Sequence, residues 1–289
     1  MHTVLFPSVI LIFSMMARMT QGLGAKSVYT MSSSSTSSAL RGKNLFIQLF
    51  RLGDLRLHDN PSLFHAADMA KKHGDEGILP VFCFDPRIFG DNATSKYGSI
   101  KCGPKRAKFI LDGVKDLRSR LESEGSGLVV AHGKPEEVLT SILSQADGEK
   151  QIIPRVFCQE EVCSEELSVD KKVRAAVKLH HKDGSLSPIW GSTLYDIDDL
   201  PFKDGVNGMP SVFTPFRNKL EKNSNIGKPL PIPKKSELKL SKVRIDGIGK
   251  CSLDYMPTLK ELGYNDEQVQ YAEEHDGRGV LPFKGGESA

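Results

Sequence analysis

Hydrophobic and polar positions follow two alternating patterns from Asn44 onward. Short apolar runs alternate with longer segments in which apolar residues recur every three or four positions, which predicts strands alternating with helices. The predicted strands are residues 45–50, 78–84, 128–131, 152–158 and 186–190. The predicted helices are residues 61–73, 104–124, 135–145 and 165–179.

This alternation predicts an α/β fold: a doubly wound, five-stranded parallel Rossmann-like sheet of order 3-2-1-4-5, with helices on both faces. Ligands of such sheets bind beyond the carboxyl ends of the strands where the order reverses, here between the first and fourth strands. The segments expected there, residues 51–60 and 159–166, are densely charged. A polar-ligand or domain-contact site is therefore expected at this edge.

The pattern weakens after Gly191. Residues 44–202 are assigned to the α/β domain, and residues 203–258 to a connector with an extended, proline-rich and lysine-rich stretch. Residues 259–274 carry a weak helical pattern, and residues 259–289 are interpreted as the start of a second, helical domain.

Residues 1–43 resemble a targeting segment. An apolar run over residues 4–17, too short to span a membrane comfortably, precedes a serine-rich stretch without acidic residues. We expect an organelle location, plastid or mitochondrion, with no membrane association after removal of the segment. Translation from Met31 would instead favour the cytoplasm or nucleus.

Composition narrows the possible functions. The chain is 39% hydrophobic and 26% charged, which is ordinary for a globular protein. Four of its 39 basic residues and none of its 36 acidic ones lie within residues 1–43, so the remainder is close to neutral. The body therefore lacks the basic surface of a stand-alone nucleic-acid binder. Five scattered cysteines argue against a disulfide framework, and no metal site is expected.

Phe50-Arg51 is followed by Asp54-Leu-Arg-Leu-His-Asp-Asn60. This segment resembles the opening motif of the photolyase/cryptochrome family, in particular of its cryptochrome DASH branch. The order of the motifs is kept through Trp190-Gly-Ser-Thr-Leu-Tyr195 to the end, Leu281-Pro-Phe-Lys-Gly-Gly-Glu287. The sequence departs from the family at Leu49, where a tryptophan is usual, and at Leu52-Gly53, where one residue is added.

The resemblance implies an antenna domain that holds a folate, methenyltetrahydrofolate, and passes excitation to FAD. In intact relatives FAD lies in a helical domain and supports photoreception or light-driven repair of pyrimidine dimers in single-stranded DNA. We expect this chain not to contain that helical domain. This chain alone is not expected to catalyse repair, and no catalytic residue is assigned. Alternatives are a non-catalytic truncated binding module and a gene-model fragment without activity.

Two sets of site residues are predicted. For the folate, a carboxylate can accept N–H bonds from a pterin edge, and Glu161 is the first candidate, with Glu160 and Cys163 nearby. An alternative is that Glu161 caps the following helix. A second set is interpreted as structural or as facing the helical domain: Arg51, Asp54, Arg56, Asp59 and Asn60.

Overall fold

A computed structural model of the chain describes residues 43–74, 77–146, 152–243, 245, 248–274 and 284–289. The targeting prediction falls almost entirely on residues 1–42, which lie outside the described residues. The sheet has five parallel strands: β1 (Lys43–Phe50), β2 (Ile78–Phe84), β3 (Val129–His132), β4 (Ile152–Gln159) and β5 (Ser185–Ile189).

The order of these strands, β5-β4-β1-β2-β3, confirms the predicted doubly wound sheet. The side chains of β2 are buried throughout, as expected for a strand covered on both faces. Pro80 is tolerated inside β2 because the pairing with β3 begins only at Val81.

Four helices cover the two faces: α1 (Pro61–Lys72), α2 (Pro104–Ser123), α3 (Pro135–Ala146) and α4 (Ser164–His180). Three of the four begin at a proline, whose missing N–H costs nothing in the first turn. Apolar residues of α1 and α2 share one core cluster, and those of α3 and α4 share another on the opposite face. The helices therefore lie on both sides of the sheet, as predicted.

The segment after β5 packs more closely than an extended linker would. It contains a 3₁₀ turn (Gly205–Gly208), helix α5 (Phe213–Asn223) and a two-residue strand, β6 (Cys251–Ser252), which pairs antiparallel to β3. Leu238 is fully buried in the core. The sixth strand was not predicted because a two-residue pairing leaves no periodic signal.

Helix α6 (Asp266–Glu273) follows, with a capping box at Asn265 and Gln268. It lies within the weak helical pattern of residues 259–274, and its closest helical neighbour is α2. Among the described residues, no helix combines the length and the apolar character that a membrane span requires.

Candidate functional site

A cavity of about 570 Å³ opens where β1, β2 and β4 end. This is the edge at which the sheet order reverses, and the volume suits a small-molecule ligand. Its apolar lining comes mainly from strand ends and the loop after β2, including Phe50, Phe82 and Phe89. Charged residues from four segments complete the wall: Arg51, Asp85, Arg87, Lys101, Arg106, Glu161, Glu165, Glu166 and Lys172.

Arg51 occupies the wall of the cavity directly after β1. Its guanidinium pairs with Asp170 of α4 and lies 3.4 Å from the Cys158 sulfur. Burial alone would lower the pKa of Arg51, but its interactions with Cys158 and Asp170 raise it above the ordinary value. The Nε of Arg51 is buried and has no hydrogen-bond partner among the described residues.

Glu161 follows β4 and lines the cavity. Its Oε1 accepts one long hydrogen bond, 3.3 Å, from Gln159 Nε2. Burial raises the pKa of Glu161, against the opposing effects of Arg51 and this hydrogen bond. The structure does not support the alternative that Glu161 caps α4. The N-cap of α4 is Cys163, two residues further on, and the Cys163 side chain makes no capping hydrogen bond.

The other two predicted folate residues lie apart from the cavity. Neither Glu160 nor Cys163 belongs to its lining. The backbone N–H of Glu160 donates to the Ile189 carbonyl, which continues the pairing of β4 with β5. Cys163 is exposed and free. Glu161 is thus the one member of the predicted trio that the structure places at the cavity.

Arg87 forms a clamp that sequence reasoning did not single out. Its guanidinium bonds Asp85 at 2.6–3.0 Å and also holds both carboxylate oxygens of Glu136, the second residue of α3, at 2.9 Å. The pKa of Arg87 is raised, chiefly by its hydrogen bonds to Asp85. The clamp fixes the loop after β2 against α3, and its trace in the sequence is the charged pair in Asp85-Pro-Arg87 directly after the apolar run of β2.

Three further cations, Lys101, Arg106 and Lys172, line the cavity from outside the predicted charged segments. Lys101 Nζ lies 2.6 Å from Glu165 of α4, so this pair connects the segment before α2 with the start of α4. Arg106, on the first turn of α2, is exposed and has no ion pair within the part of the chain that the structure describes. Both positive and negative groups are therefore available to a ligand.

The loop between β1 and α1 is held by its own side chains. Arg56 donates to the carbonyls of Gly53, Asp59 and Gly191 at 2.9–3.1 Å. Asn60 caps α1 through Leu63 N–H at 3.0 Å, and its Nδ2 bonds two carbonyls of the same loop.

Asp59 joins this loop to the proline-rich stretch of the connector. It adopts a positive φ of 51°, and its backbone and carboxylate bond both the N–H and the carbonyl of Leu230. Aspartate is one of the few non-glycine residues that tolerate this backbone region.

Asp54 is the buried carboxyl of the loop, with 1% of its surface exposed. Its Oδ1 accepts the Arg51 backbone N–H at 2.5 Å, and its Oδ2 has no partner among the described residues. Burial raises the pKa of Asp54 to about 7, although this hydrogen bond and the neighbouring arginines oppose the shift.

Comparison with known proteins identifies relatives of this chain. A family model described as DNA photolyase matches residues 46–234. The cryptochrome DASH, chloroplastic/mitochondrial, of Ostreococcus tauri is 35% identical over 259 residues, which is 86% of this chain and 45% of the relative. The cryptochrome DASH of Danio rerio is 37% identical over 81% of this chain and 40% of its own length.

Solved structures show the same fold. A Synechocystis cryptochrome superposes with a TM-score of 0.67 at 29% identity, over 86% of this chain and 44% of that one. An archaeal photolyase from Sulfolobus tokodaii, described as containing two FAD molecules, has a TM-score of 0.51 at 22% identity, over 68% of this chain and 38% of its own. The chain spans less than half the length of the curated relatives described above.

Proposed function

Because the chain belongs to the DNA photolyase family, we propose that it forms the light-harvesting α/β half of a cryptochrome DASH-like protein. Its cavity at the carboxyl edge of the sheet would hold a second chromophore, methenyltetrahydrofolate. The observation that carries this proposal is the cavity itself, which combines an apolar lining with two buried polar atoms, Arg51 Nε and Glu166 Oε2, that have no hydrogen-bond partner among the described residues.

The lining fits a folate in size and chemistry. Its volume of about 570 Å³ lies within the usual range of small-molecule sites. Leu52, Ile88 and Val169 line the cavity and are partly exposed, so they offer apolar area to a flat ring system. Lys101 and Arg106 could meet the carboxylates of the folate's glutamate tail, since ammonium and guanidinium groups bind carboxylates.

Glu161 would receive the pterin ring. Glu161 is half-buried and has one weak partner among the described residues, so its charge is incompletely solvated, and N–H donors of a ligand would offset that cost. Glu166 supports the same interpretation, because its Oε2 is buried without a partner among the described residues and the residue also lines the cavity. Glu160 and Cys163 are assigned no contact with the chromophore in this proposal.

The activity of a complete protein is a further part of the proposal. Bound folate would supply light absorption and transfer of excitation to FAD held by a helical domain. That domain would also provide contact with single-stranded DNA and its pyrimidine dimers. The loop residues Arg51, Asp54, Arg56, Asp59 and Asn60 would hold the sheet edge in shape for this arrangement.

An organelle location is proposed on two grounds. Residues 1–43 have the composition of a targeting segment. Relatives from Ostreococcus tauri and Arabidopsis thaliana are named chloroplastic/mitochondrial. Expression of the full chain with a C-terminal fluorescent tag, compared with a chain beginning at Met31, tests this location.

Titration with methenyltetrahydrofolate, followed by absorbance, tests the cavity assignment. Glu161→Gln removes the charge and replaces one acceptor by a donor. A charge-assisted hydrogen bond contributes about 1.5–3 kcal/mol, so the affinity should fall by roughly ten- to a hundredfold. Glu160→Gln is the matched variant, since it alters the adjacent carboxylate outside the cavity lining.

A thermal melt of each variant separates binding from folding. Equal folate affinity of the parent and Glu161→Gln would contradict the role of Glu161. Absence of folate binding by the parent would contradict the antenna assignment of this chain. Parallel titrations with FMN and FAD show whether the cavity prefers a flavin as its chromophore.

A further inference from the structure

We infer that residues 285–287, Gly285-Gly286-Glu287, form a latch that holds the cavity loop in its binding conformation. Glu287 is the positioning residue of this latch. It bonds Leu57 and His58 and does not line the cavity, whereas Arg51, Leu52 and Gly53 of the same loop do. The effect on ligand affinity rests on the proposed folate site, but the effect on the loop does not.

The two glycines allow the latch to lie directly on the backbone of helix α2. A Cβ on Gly285 would come within 1.9 Å of the Phe109 carbonyl oxygen, a distance that no side chain tolerates. Gly286 has a φ of 126°, and a Cβ there would lie 2.7 Å from the Cβ of Asp116. The sequence Gly-Gly is thus required by close approach to α2 and by backbone conformation.

The buried Gly113 of α2 faces this contact. A glycine within a helix lowers the stability of the helix by roughly 1 kcal/mol relative to alanine. A Cβ added at Gly113 would lie 3.7 Å from Gly286 N and 3.5 Å from a methyl group of Leu55. The latch and the loop therefore meet on the same face of α2.

The Glu287 carboxylate binds the loop through two consecutive backbone N–H groups. Its Oε2 accepts from Leu57 at 2.8 Å, and its Oε1 accepts from His58 at 3.1 Å. The carboxylate also pairs with Arg120 of α2. Successive N–H groups that converge on one anion form a backbone nest, a geometry that selects a carboxylate over a neutral group.

Asp116 secures the other side of the latch. Its Oδ2 accepts the backbone N–H groups of Glu287 at 2.9 Å and Ser288 at 3.3 Å. Asp116 and Arg120 are four residues apart and therefore share one face of α2. The helix thus offers an acceptor to the latch backbone and a cation to its side chain.

Hydrogen bonds inside the loop connect the latch to the cavity wall. The backbone N–H of Arg56 donates to the Asp54 carbonyl at 2.7 Å, and Arg51 N–H donates to the Asp54 carboxylate. The Arg56 side chain bonds the Gly53 carbonyl, and Asn60 bonds the carbonyls of Asp54 and Arg56. Release of Leu57 and His58 should therefore loosen the whole loop, including the residues that line the cavity.

Residue-resolved amide hydrogen exchange on the full chain tests the latch without any ligand. In Glu287→Gln, the Leu57 and His58 amides should exchange about ten- to a hundredfold faster than in the parent, as expected for loss of a charge-assisted bond. The Arg51 and Arg56 amides should also exchange faster. Glu267→Gln, an exposed change in the first turn of α6, is the matched control and should leave all four amides unchanged.

Gly285→Ala provides a second variant, since it should displace the latch by steric clash and give the same exchange pattern. Amides of β1 and β4 must retain their parental exchange, which excludes general unfolding as the cause. Faster exchange confined to Leu57 and His58, with Arg51 and Arg56 unchanged, would overturn the coupling. Parental exchange at all four amides in both variants would overturn the latch itself.

Folate titration of Glu287→Gln then measures the consequence for the cavity. We expect the affinity to fall by roughly five- to a hundredfold, the range of typical coupling between separate sites. An unchanged affinity would show that the loop does not control the site. If the parent binds no folate, the proposed antenna function fails, while the exchange measurement still decides whether the latch exists.

Discussion

Arg51 and Asp170 form a buried ion pair that joins the loop after β1 to helix α4. Their side chains are 11% and 10% exposed, so water could not replace either partner as the neighbour of the remaining charge. The pair crosses the end of the sheet between β1 and β4, next to the cavity. The pair therefore fixes Arg51 in the wall of the cavity in which the ligand is proposed to bind.

Replacing Asp170 by Asn should leave the Arg51 charge buried without its counter-ion. Removal of one partner of a buried pair costs about 3–5 kcal/mol in unfolding free energy, which urea titration at pH 7 can measure. The control is Asp68→Asn, whose partner Lys72 is 64% exposed, and the expected cost there is about 0–1 kcal/mol. Similar costs for the two variants would contradict a buried, uncompensated charge.

Asp54 should make the parent less stable as the pH rises. Burial raises its folded pKa to about 7, above the unfolded value near 4, so the folded state binds the proton more tightly. The stability that protonated Asp54 contributes to the folded state is fully present below about pH 4 and is lost progressively as the pH rises to about 7. Asp54→Asn cannot titrate and should lack this part of the pH dependence.

The measurement is urea unfolding of the parent and Asp54→Asn at several values between pH 4.5 and 8. As the pH rises, the unfolding free energy of the variant should increase relative to that of the parent, by up to about 1.4 kcal/mol for each pH unit. Parallel curves for the two proteins would show that the Asp54 carboxyl is not protonated in the folded state at neutral pH.

Arg87→Lys should weaken the connection between the loop after β2 and helix α3. An ammonium group cannot reproduce the planar arrangement that bonds Asp85 and both oxygens of Glu136. We expect a loss of about 1.5–3 kcal/mol, the contribution of a charged hydrogen bond, detected as a lower melting temperature. Arg217→Lys, which alters the exposed pair with Glu221, should melt as the parent does.

We expect the exposed apolar residues at the start of α5 to favour self-association, and Phe213→Ser to reduce it. Val212 and Phe213 are 60% and 41% exposed at the start of α5, beside a small cluster that includes Phe202 and Phe216. Exposed apolar groups near such a cluster favour association. Light scattering across a range of concentrations should show less association for the variant, and equal association would place the contact elsewhere.

The class of fold and the edge at which the cavity lies follow from the amino-acid pattern alone. Apolar periodicity distinguished strands from helices, and the alternation of the two required a parallel sheet covered on both faces. The reversal of strand order then located the cavity, and charged residues after β1 and β4 marked its walls. These inferences succeeded because each depends on local pattern or on the general chirality of such sheets.

Which side chains meet at the cavity depends on packing between distant parts of the chain. Glu160 and Glu161 are adjacent carboxylates in the sequence, but the continued pairing of β4 with β5 fixes the backbone of Glu160, and of the two only Glu161 lines the cavity. Partners 49 residues apart, such as Arg87 and Glu136, leave no periodic signal. The same holds for Glu287 and Leu57, which are 230 residues apart, because such contacts depend on how helices and loops pack against one another.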